Sequence, residues 1–228
     1  MTTYLKKAIN IVIIPARGGS KRLPGKNTLP LDSIPLIVHS INYARANNNI
    51  LDRIIVSTDD AKIKEISIKE GVEVIDRPEN LSTDTSNTIS VLKHVLETIK
   101  EEVENVILLQ PTNPLRPENL LTEAFQKYKE INCDSLMTVT RSYQKFGKIE
   151  NQRFEPFNYE MGQRSQDLDP LYFENGLLYI TKASLILNKK ILGPNNFPFI
   201  VDHPFAGVDI DFREDLDYAE FLLERAKK

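Results

Sequence analysis

One cysteine, Cys133, is present in 228 residues, so no internal disulfide can form. That usage fits a reducing cytoplasm. Histidine is scarce as well: His39, His94 and His203 show no Ser-His-Asp or Cys-His pattern and no zinc spacing. No apolar run approaches a membrane span. Near the N-terminus, Lys6 and Lys7 precede an apolar run of about five residues that Pro15 breaks, too short for a secretory signal core. Positive charge is not in excess. Against 32 Asp and Glu there are 29 Lys and Arg, a net charge of −3 that does not indicate a nucleic-acid-binding surface. Internal repeats and low-complexity segments are absent too. What is present is 41% apolar residues, enough for a core, over a length that suits a single domain, 1–228.

The chain is organised around Ile11 to Asn27. Four apolar, mostly β-branched residues open it and read as a buried strand. Pro15 ends that strand because it has no N–H to donate. Then follow Gly18, Gly19 and Gly25 among four cations, Arg17, Lys21, Arg22 and Lys26. Glycines let a backbone approach a ligand closely, and successive N–H groups form an anion-binding concavity. Arginine adds a planar fork and lysine a point charge. The stretch fits neither G-x-G-x-x-G nor the G-x-x-x-x-G-K-[ST] loop, so it reads as phosphate binding by a different loop, or as a solvated basic turn.

Strand and helix patterns then alternate. Helices are expected over Pro35–Ala46 and Asp60–Glu70, and strands over Arg53–Asp59 and Val72–Ile75. Asp84 or Ser86 is a candidate cap for a helix that carries Ile89, Leu92, Val95, Leu96, Ile99 and Val103 on one face. Asn105–Leu109 reads as a strand, 117–131 as a helix and Asp134–Thr140 as a strand. This alternation implies a three-layer α/β fold with a mostly parallel sheet.

Gln110-Pro-Thr-Asn-Pro-Leu-Arg-Pro117 is a stiff loop after a central strand, suited to ligand reading or to rigid connection. From Arg141 to Pro170 the alternation stops. An irregular stretch of that length is expected to have a job, and it reads as an extended hairpin arm. Val208-Asp-Ile-Asp-Phe212 reads as a strand, which would set Asp209 and Asp211 on one face about 7 Å apart. Such a pair suits Mg²⁺, or an acidic strand end capping the next helix. Glu214, Asp215 and Asp217 suit the start of a last helix, Glu214–Ala226.

These stretches resemble one family. Pro15-Ala-Arg-Gly-Gly-Ser-Lys-Arg-Leu-Pro-Gly-Lys-Asn27 is similar to the signature loop of the acylneuraminate cytidylyltransferases, or CMP-sialic acid synthetases, which CMP-KDO synthetases share in part. Gln110 to Arg116 resembles the family's L-L-Q-P-T-S-P-L-R, with Asn113 where serine is usual, and argues against the KDO type. Arg164-Ser-Gln-Asp-Leu168 and Glu174-Asn-Gly-Leu-Leu-Tyr-Ile-Thr181 resemble its R-x-Q-D-L and E-N-G-x-x-Y-I, and Asp209-Ile-Asp211 its D-x-D.

The resemblance runs from Ile11 to Glu224 and implies a Rossmann-like nucleotidyltransferase fold. It implies CTP and a nine-carbon 2-keto (nonulosonic) acid as substrates, Mg²⁺ as cofactor, and a homodimer built through 141–170. Arg17 and Lys26 would serve the triphosphate, with Ala16, Gly18, Ser20, Asn27 and Asp84 at the nucleotide. Gln110, Arg164, Asn175 and Tyr179 would serve the sugar acid, and Arg116 would be structural or near the site. Asp209 and Asp211 would hold the metal, with Arg17, Lys26 and Asp211 carrying catalysis. No base for the sugar hydroxyl stands out; Asp84, after a polar loop, is a candidate. The rival readings are a CMP-KDO or sugar-1-phosphate nucleotidyltransferase, and a non-catalytic nucleotide-binding module.

Overall fold

The computed structural model describes residues 8–227; Lys6 and Lys7 lie outside them, as does Lys228 at the other end of the expected single domain. A seven-stranded sheet forms the middle layer. Its strands are β1 (Ile9–Pro15), β4 (Arg53–Thr58), β5 (Glu73–Asp76), β6 (Val103–Leu108), β7 (Ser135–Ser142), β10 (Leu171–Lys182) and β11 (Asn196–Ile200). The order is β11-β7-β10-β6-β1-β4-β5. All neighbours pair parallel except β10, which runs antiparallel to β6 and β7. Two short strands, β2 (Pro30–Leu31) and β3 (Ile34–Pro35), pair with each other beside the first loop.

Alternation along β1 feeds both faces. Val12 and Ile14 pack with Ile37, Ile41 and Leu121, from α1 (Leu36–Ala46) and α4 (Leu120–Ile131), and with Ile63 from α2 (Ala61–Lys69). Ile11 and Ile13 pack with Leu92 and Val95 from α3 (Thr88–Thr98), and with Ile186 from α5 (Ala183–Leu187). All four β1 side chains are fully buried, which is why the run reads as apolar without alternation. A third cluster seats α6 (Arg213–Ala226) through Leu216 and Ala219 against Leu23, Leu115 and Ile210.

Several boundaries differ from expectation for identifiable reasons. Asn87, not Asp84 or Ser86, caps α3, its Oδ1 accepting from Ser90 N at 3.0 Å. That helix stops at Thr98, and Val103 opens β6 instead. Asp60 caps α2 as an N-terminal acid should. The sequence patterns missed α5 and β11. Pro198 disguises β11, and it is tolerated because β11 lies at the sheet edge. In the 141–170 stretch, β8 (Gly147–Glu150) and β9 (Arg153–Pro156) pair as an antiparallel hairpin. Asn151 and Gln152 turn it with φ of 50° and 64°, the positive values a two-residue hairpin turn needs.

Candidate active site

The parallel strands β1, β4, β5 and β6 all end on one edge of the sheet, and their following loops meet there. Open α/β sheets bind ligands in such a crevice. After β1, Ala16 is buried and its N–H donates to Ser57 O at 3.0 Å. Gly18 N donates to Asp59 Oδ1 at 3.1 Å, and a Cβ at Gly18 would sit 2.5 Å from Asp60 Oδ2. Asn27 is buried and donates to Arg17 O at 2.9 Å, closing the loop on itself. Ser20 Oγ accepts weakly from Leu23 N at 3.4 Å.

The loop cations are each held by a carboxylate. Arg17 donates to Asp84 Oδ1 at 2.8 Å, and Lys21 lies 2.5 Å from Asp84 Oδ2. Lys21 first and Arg17 second hold the Asp84 carboxyl below its usual range. Lys26 donates to Ile210 O and Asp211 Oδ1, both at 2.9 Å, while Arg22 meets Asp211 Oδ2 at 2.9 Å. Arg17, Lys26 and Asn27 line a cavity of about 180 Å³ with Gln110, Thr112, Ser86, Thr88 and Arg77.

Arg77 and Thr88 were not singled out from the sequence, and Ser86 only as a candidate helix cap. Arg77 follows β5 directly, as the first loop follows β1, and that position was its one sequence signal. Its guanidinium donates to Ser57 O at 2.6 Å. Burial, reinforced by the nearby Arg17 charge and opposed by Asp59, lowers it to about 10.

Asp209 and Asp211 do not lie on a strand. Residues 208–212 form an irregular segment, pinned by Ile210 N donating to Thr112 O at 2.8 Å. Asp215 Oδ2 accepts from Asp211 N and Phe212 N at 2.9 and 2.8 Å, so the helix start, not a ladder, shapes the segment. The two carboxylates still act on each other. Partial burial first, and the Asp211 charge after it, push Asp209 up, against the Thr112 hydroxyl and Lys26. The Asp209 residue nonetheless reaches solvent. No third His, Cys, Asp or Glu joins them in a metal-holding group among the described residues. Two carboxylates with open remaining positions fit Mg²⁺, which draws its other ligands from water and phosphate.

The remaining sugar-side candidates divide. Gln110 and Tyr179 line a second cavity of about 200 Å³ with Thr88, Leu108, Glu174, Ile191 and Leu192. It shares Gln110 and Thr88 with the first cavity. Asn175 is buried beneath, and the expected sugar contact gives way to bracing. Its Oδ1 accepts from Thr138 Oγ1 and Leu177 N, and its Nδ2 donates to Thr140 Oγ1. Arg164 lines neither cavity. It is exposed in the arm, with both ends of its fork on Asp167 at 2.7 and 3.0 Å. Arg116 is structural: buried, it donates to Leu177 O, Ser40 Oγ and Gln110 O at 2.7, 3.1 and 2.9 Å. Burial lowers it to about 10. The histidines are structural as well where they bond, His39 to Leu31 O and His203 to Phe205 N.

This architecture, a mostly parallel sheet with helices on both faces and a crevice at the strand ends, is that of the Rossmann-like nucleotidyltransferase fold. Residues 11–225 match the family model described as cytidylyltransferase, and the chain belongs to that family. The chain is 33% identical over 213 residues to an N-acylneuraminate cytidylyltransferase of Streptococcus agalactiae, covering 90% of this chain and 51% of that protein. It thus spans about half the length of that relative. It is 32% identical to a pseudaminic acid cytidylyltransferase of Campylobacter jejuni, covering 93% and 95%. With a CMP-N,N'-diacetyllegionaminic acid synthase of Legionella pneumophila it shares 33%, covering 94% and 96%. A solved CMP:2-keto-3-deoxy-manno-octonic acid synthetase complexed with CTP superposes with a TM-score of 0.71 at 18% identity, covering 96% of this chain and 100% of that one, a likeness of fold alone.

Proposed function

We propose that this chain couples CTP to a nine-carbon 2-keto sugar acid, releasing the CMP-sugar and pyrophosphate. The observation that carries the reading is the pair of cavities that share Gln110 and Thr88, one lined by loop cations and the other by Glu174 and Tyr179. A triphosphate in the first and an acceptor in the second would meet at Gln110. Three of the relatives are named for different acids, N-acylneuraminate, pseudaminic acid and N,N'-diacetyllegionaminic acid, and the assay spans that range.

Arg17 and Lys26 would trade their carboxylate partners for phosphate oxygens, offsetting charge in the transition state. Gly18, Ser20 and Asn27 would hold the loop's shape around the nucleotide, with Ala16 anchoring it to β4. Asp84 would act by releasing Arg17 rather than by touching the nucleotide. Asp209 and Asp211 would hold Mg²⁺, which would supply positive charge to offset the phosphates and the leaving group. A homodimer in which the 141–170 arm reaches a second subunit would give Arg164 a sugar carboxylate to bind there.

The test is pyrophosphate release with CTP and Mg²⁺ across N-acetylneuraminate, legionaminate, pseudaminate, KDN and KDO, with UTP and GTP as controls. Turnover with CTP and a nine-carbon acid is expected. Preference for KDO or another nucleotide would replace this reading with a different nucleotidyltransferase, and no turnover with a bound nucleotide would replace it with a binding module.

A further inference from the structure

Glu174 and Tyr179 are five residues apart on β10, and on a regular strand they would face opposite sides about 17 Å apart. They are in contact, the Tyr179 hydroxyl donating to Glu174 Oε1. A bulge makes this possible. Glu174 pairs with Val139 and Tyr179 with Met137, so an advance of five residues on β10 is matched by two on β7. Gly176 turns the bulge at φ +73° and presses it against the Gln110 loop. A Cβ there would sit 2.6 Å from Asn113 Oδ1 and 2.9 Å from Gln110 Oε1. Gln110, Glu174 and Tyr179 therefore converge on the second cavity. Burial first, then the bond to Glu174 and the charge of Asp209, push the Tyr179 phenol up, so it remains a donor.

We infer that Glu174 is the base that takes the proton of the acceptor hydroxyl, and that Tyr179 is the positioning residue that fixes one of its oxygens. This rests on the cytidylyltransferase reading above. In the step, the anomeric O–H bond breaks and its proton passes to the Glu174 carboxylate. The oxygen forms a bond to the α-phosphorus, while the bond from that phosphorus to pyrophosphate breaks and its electron pair leaves with the pyrophosphate. Glu174 reaches solvent, so the proton can return to water. Asp84, the other carboxylate considered, lines neither cavity and is committed to Lys21 and Arg17.

Glu174→Gln keeps the size and can still accept from Tyr179. Its single-turnover rate of CMP-sugar formation should fall about 10²- to 10⁴-fold. Calorimetric affinity for CTP and KM for the sugar acid should stay near those of the unaltered chain. An unchanged rate overturns the assignment. So does a raised sugar KM at unchanged kcat, which would make Glu174 a binding residue, and so does loss of CTP binding, which would make it structural. Tyr179→Phe frees the carboxylate without removing it, and should lower kcat roughly tenfold with sugar KM and thermal midpoint kept. An equal loss in both variants would remove the division of roles. No pyrophosphate from the unaltered chain with any 2-keto acid would sink the cytidylyltransferase reading itself, and Glu174's role with it. Equal turnover in the unaltered chain and Glu174→Gln would remove Glu174's role alone.

Discussion

Lys26 is the loop cation with the least exposed side chain, 11% against 34% for Arg17, 59% for Arg22 and 82% for Lys21. A cation already withdrawn from water acts more strongly on a phosphate than one at the surface. Lys26→Ala should therefore lower kcat/KM for CTP by about 10²- to 10³-fold, the scale of losing one preorganised donor. Lys21→Ala should change it little. Steady-state kinetics on the two variants decide the point, and equal effects would return the loop to a solvated turn. Asp211 shares the Lys26 contact, so Asp211→Asn loosens the cation and removes a metal ligand together. It should lower turnover by about two orders of magnitude or more with the fold kept. Unchanged kcat across a Mg²⁺ titration would sink the Asp211 assignment.

At the scale of elements, the Gln110–Pro117 loop locks three parts of the molecule to one another. Arg116 bonds the carbonyl of Leu177 on β10 and the Ser40 hydroxyl on α1, and its own loop at Gln110. Asn113 bonds Asn175 O and Val208 O. Arg116→Ala would leave three acceptors unmatched, two of them buried, each worth about 1–3 kcal/mol, and should lower unfolding free energy in urea by about 3 kcal/mol or more. Arg116→Lys should recover only part of that, because one ammonium cannot face three divergent acceptors as a fork does. A loss within about 0.5 kcal/mol for both would show that water replaces the guanidinium.

His39, next to Ser40 in the first turn of α1, supplies a pH test. Burial lowers its pKa from 6.5 in the folded chain. The unfolded chain then binds the proton more readily, so stability rises with pH in this window. It should be complete above pH 6.5 and erode as pH falls from 6.5 toward the folded value. Denaturant midpoints from pH 7.5 to 5.5 should show this slope, and His39→Gln should flatten it.

Elements with strong periodicity were legible, and so was the first loop. β1 announces itself through four consecutive apolar residues because both its faces are covered, and the loop through glycine and charge packed behind it. The D-x-D carboxylates were singled out on a strand pattern that the structure does not bear out. A pattern of period two suggested a strand, but Asp215 captures the preceding N–H groups and ends the extended chain before pairing begins. Glu174 was passed over because its partner Tyr179 meets it only through a bulge, and sequence spacing alone places the two on opposite faces. Arg77 was missed because its one signal, a position directly after a strand, is too weak to set a lone cation apart from other loop residues.

Across the whole molecule, one unit stands outside the layers. The hairpin of β8 and β9 exposes Phe154 and Ile149, the flanking chain exposes Tyr143, Phe146, Phe157 and Met161, and Ile149 is 78% exposed. Contiguous apolar side chains of this kind mark an interaction surface. Lys145 and Lys148 lie over Tyr159 and Phe157, and Arg141 over Tyr143, which keeps the rings oriented but does not bury them. The hairpin's base is held by Phe146 N to Asn158 Oδ1, Asn158 Nδ2 to Gln144 O and Lys145 Nζ to Gln163 O, and β8 and β9 pair with each other in a sheet of their own, apart from the seven-stranded one. The hairpin can therefore be cut without opening the sheet core. The intact chain is expected to be a dimer in light scattering, and replacing Tyr143 to Tyr159 with a short glycine linker should give a monomer. CTP affinity should persist, because every residue lining the nucleotide cavity lies outside the deletion. Sugar-acid KM should rise by at least tenfold, since Arg164 loses the neighbouring subunit against which it would meet the carboxylate. An intact chain that is monomeric at micromolar concentration, or a deletion variant with unchanged sugar KM, would show that the arm serves neither purpose.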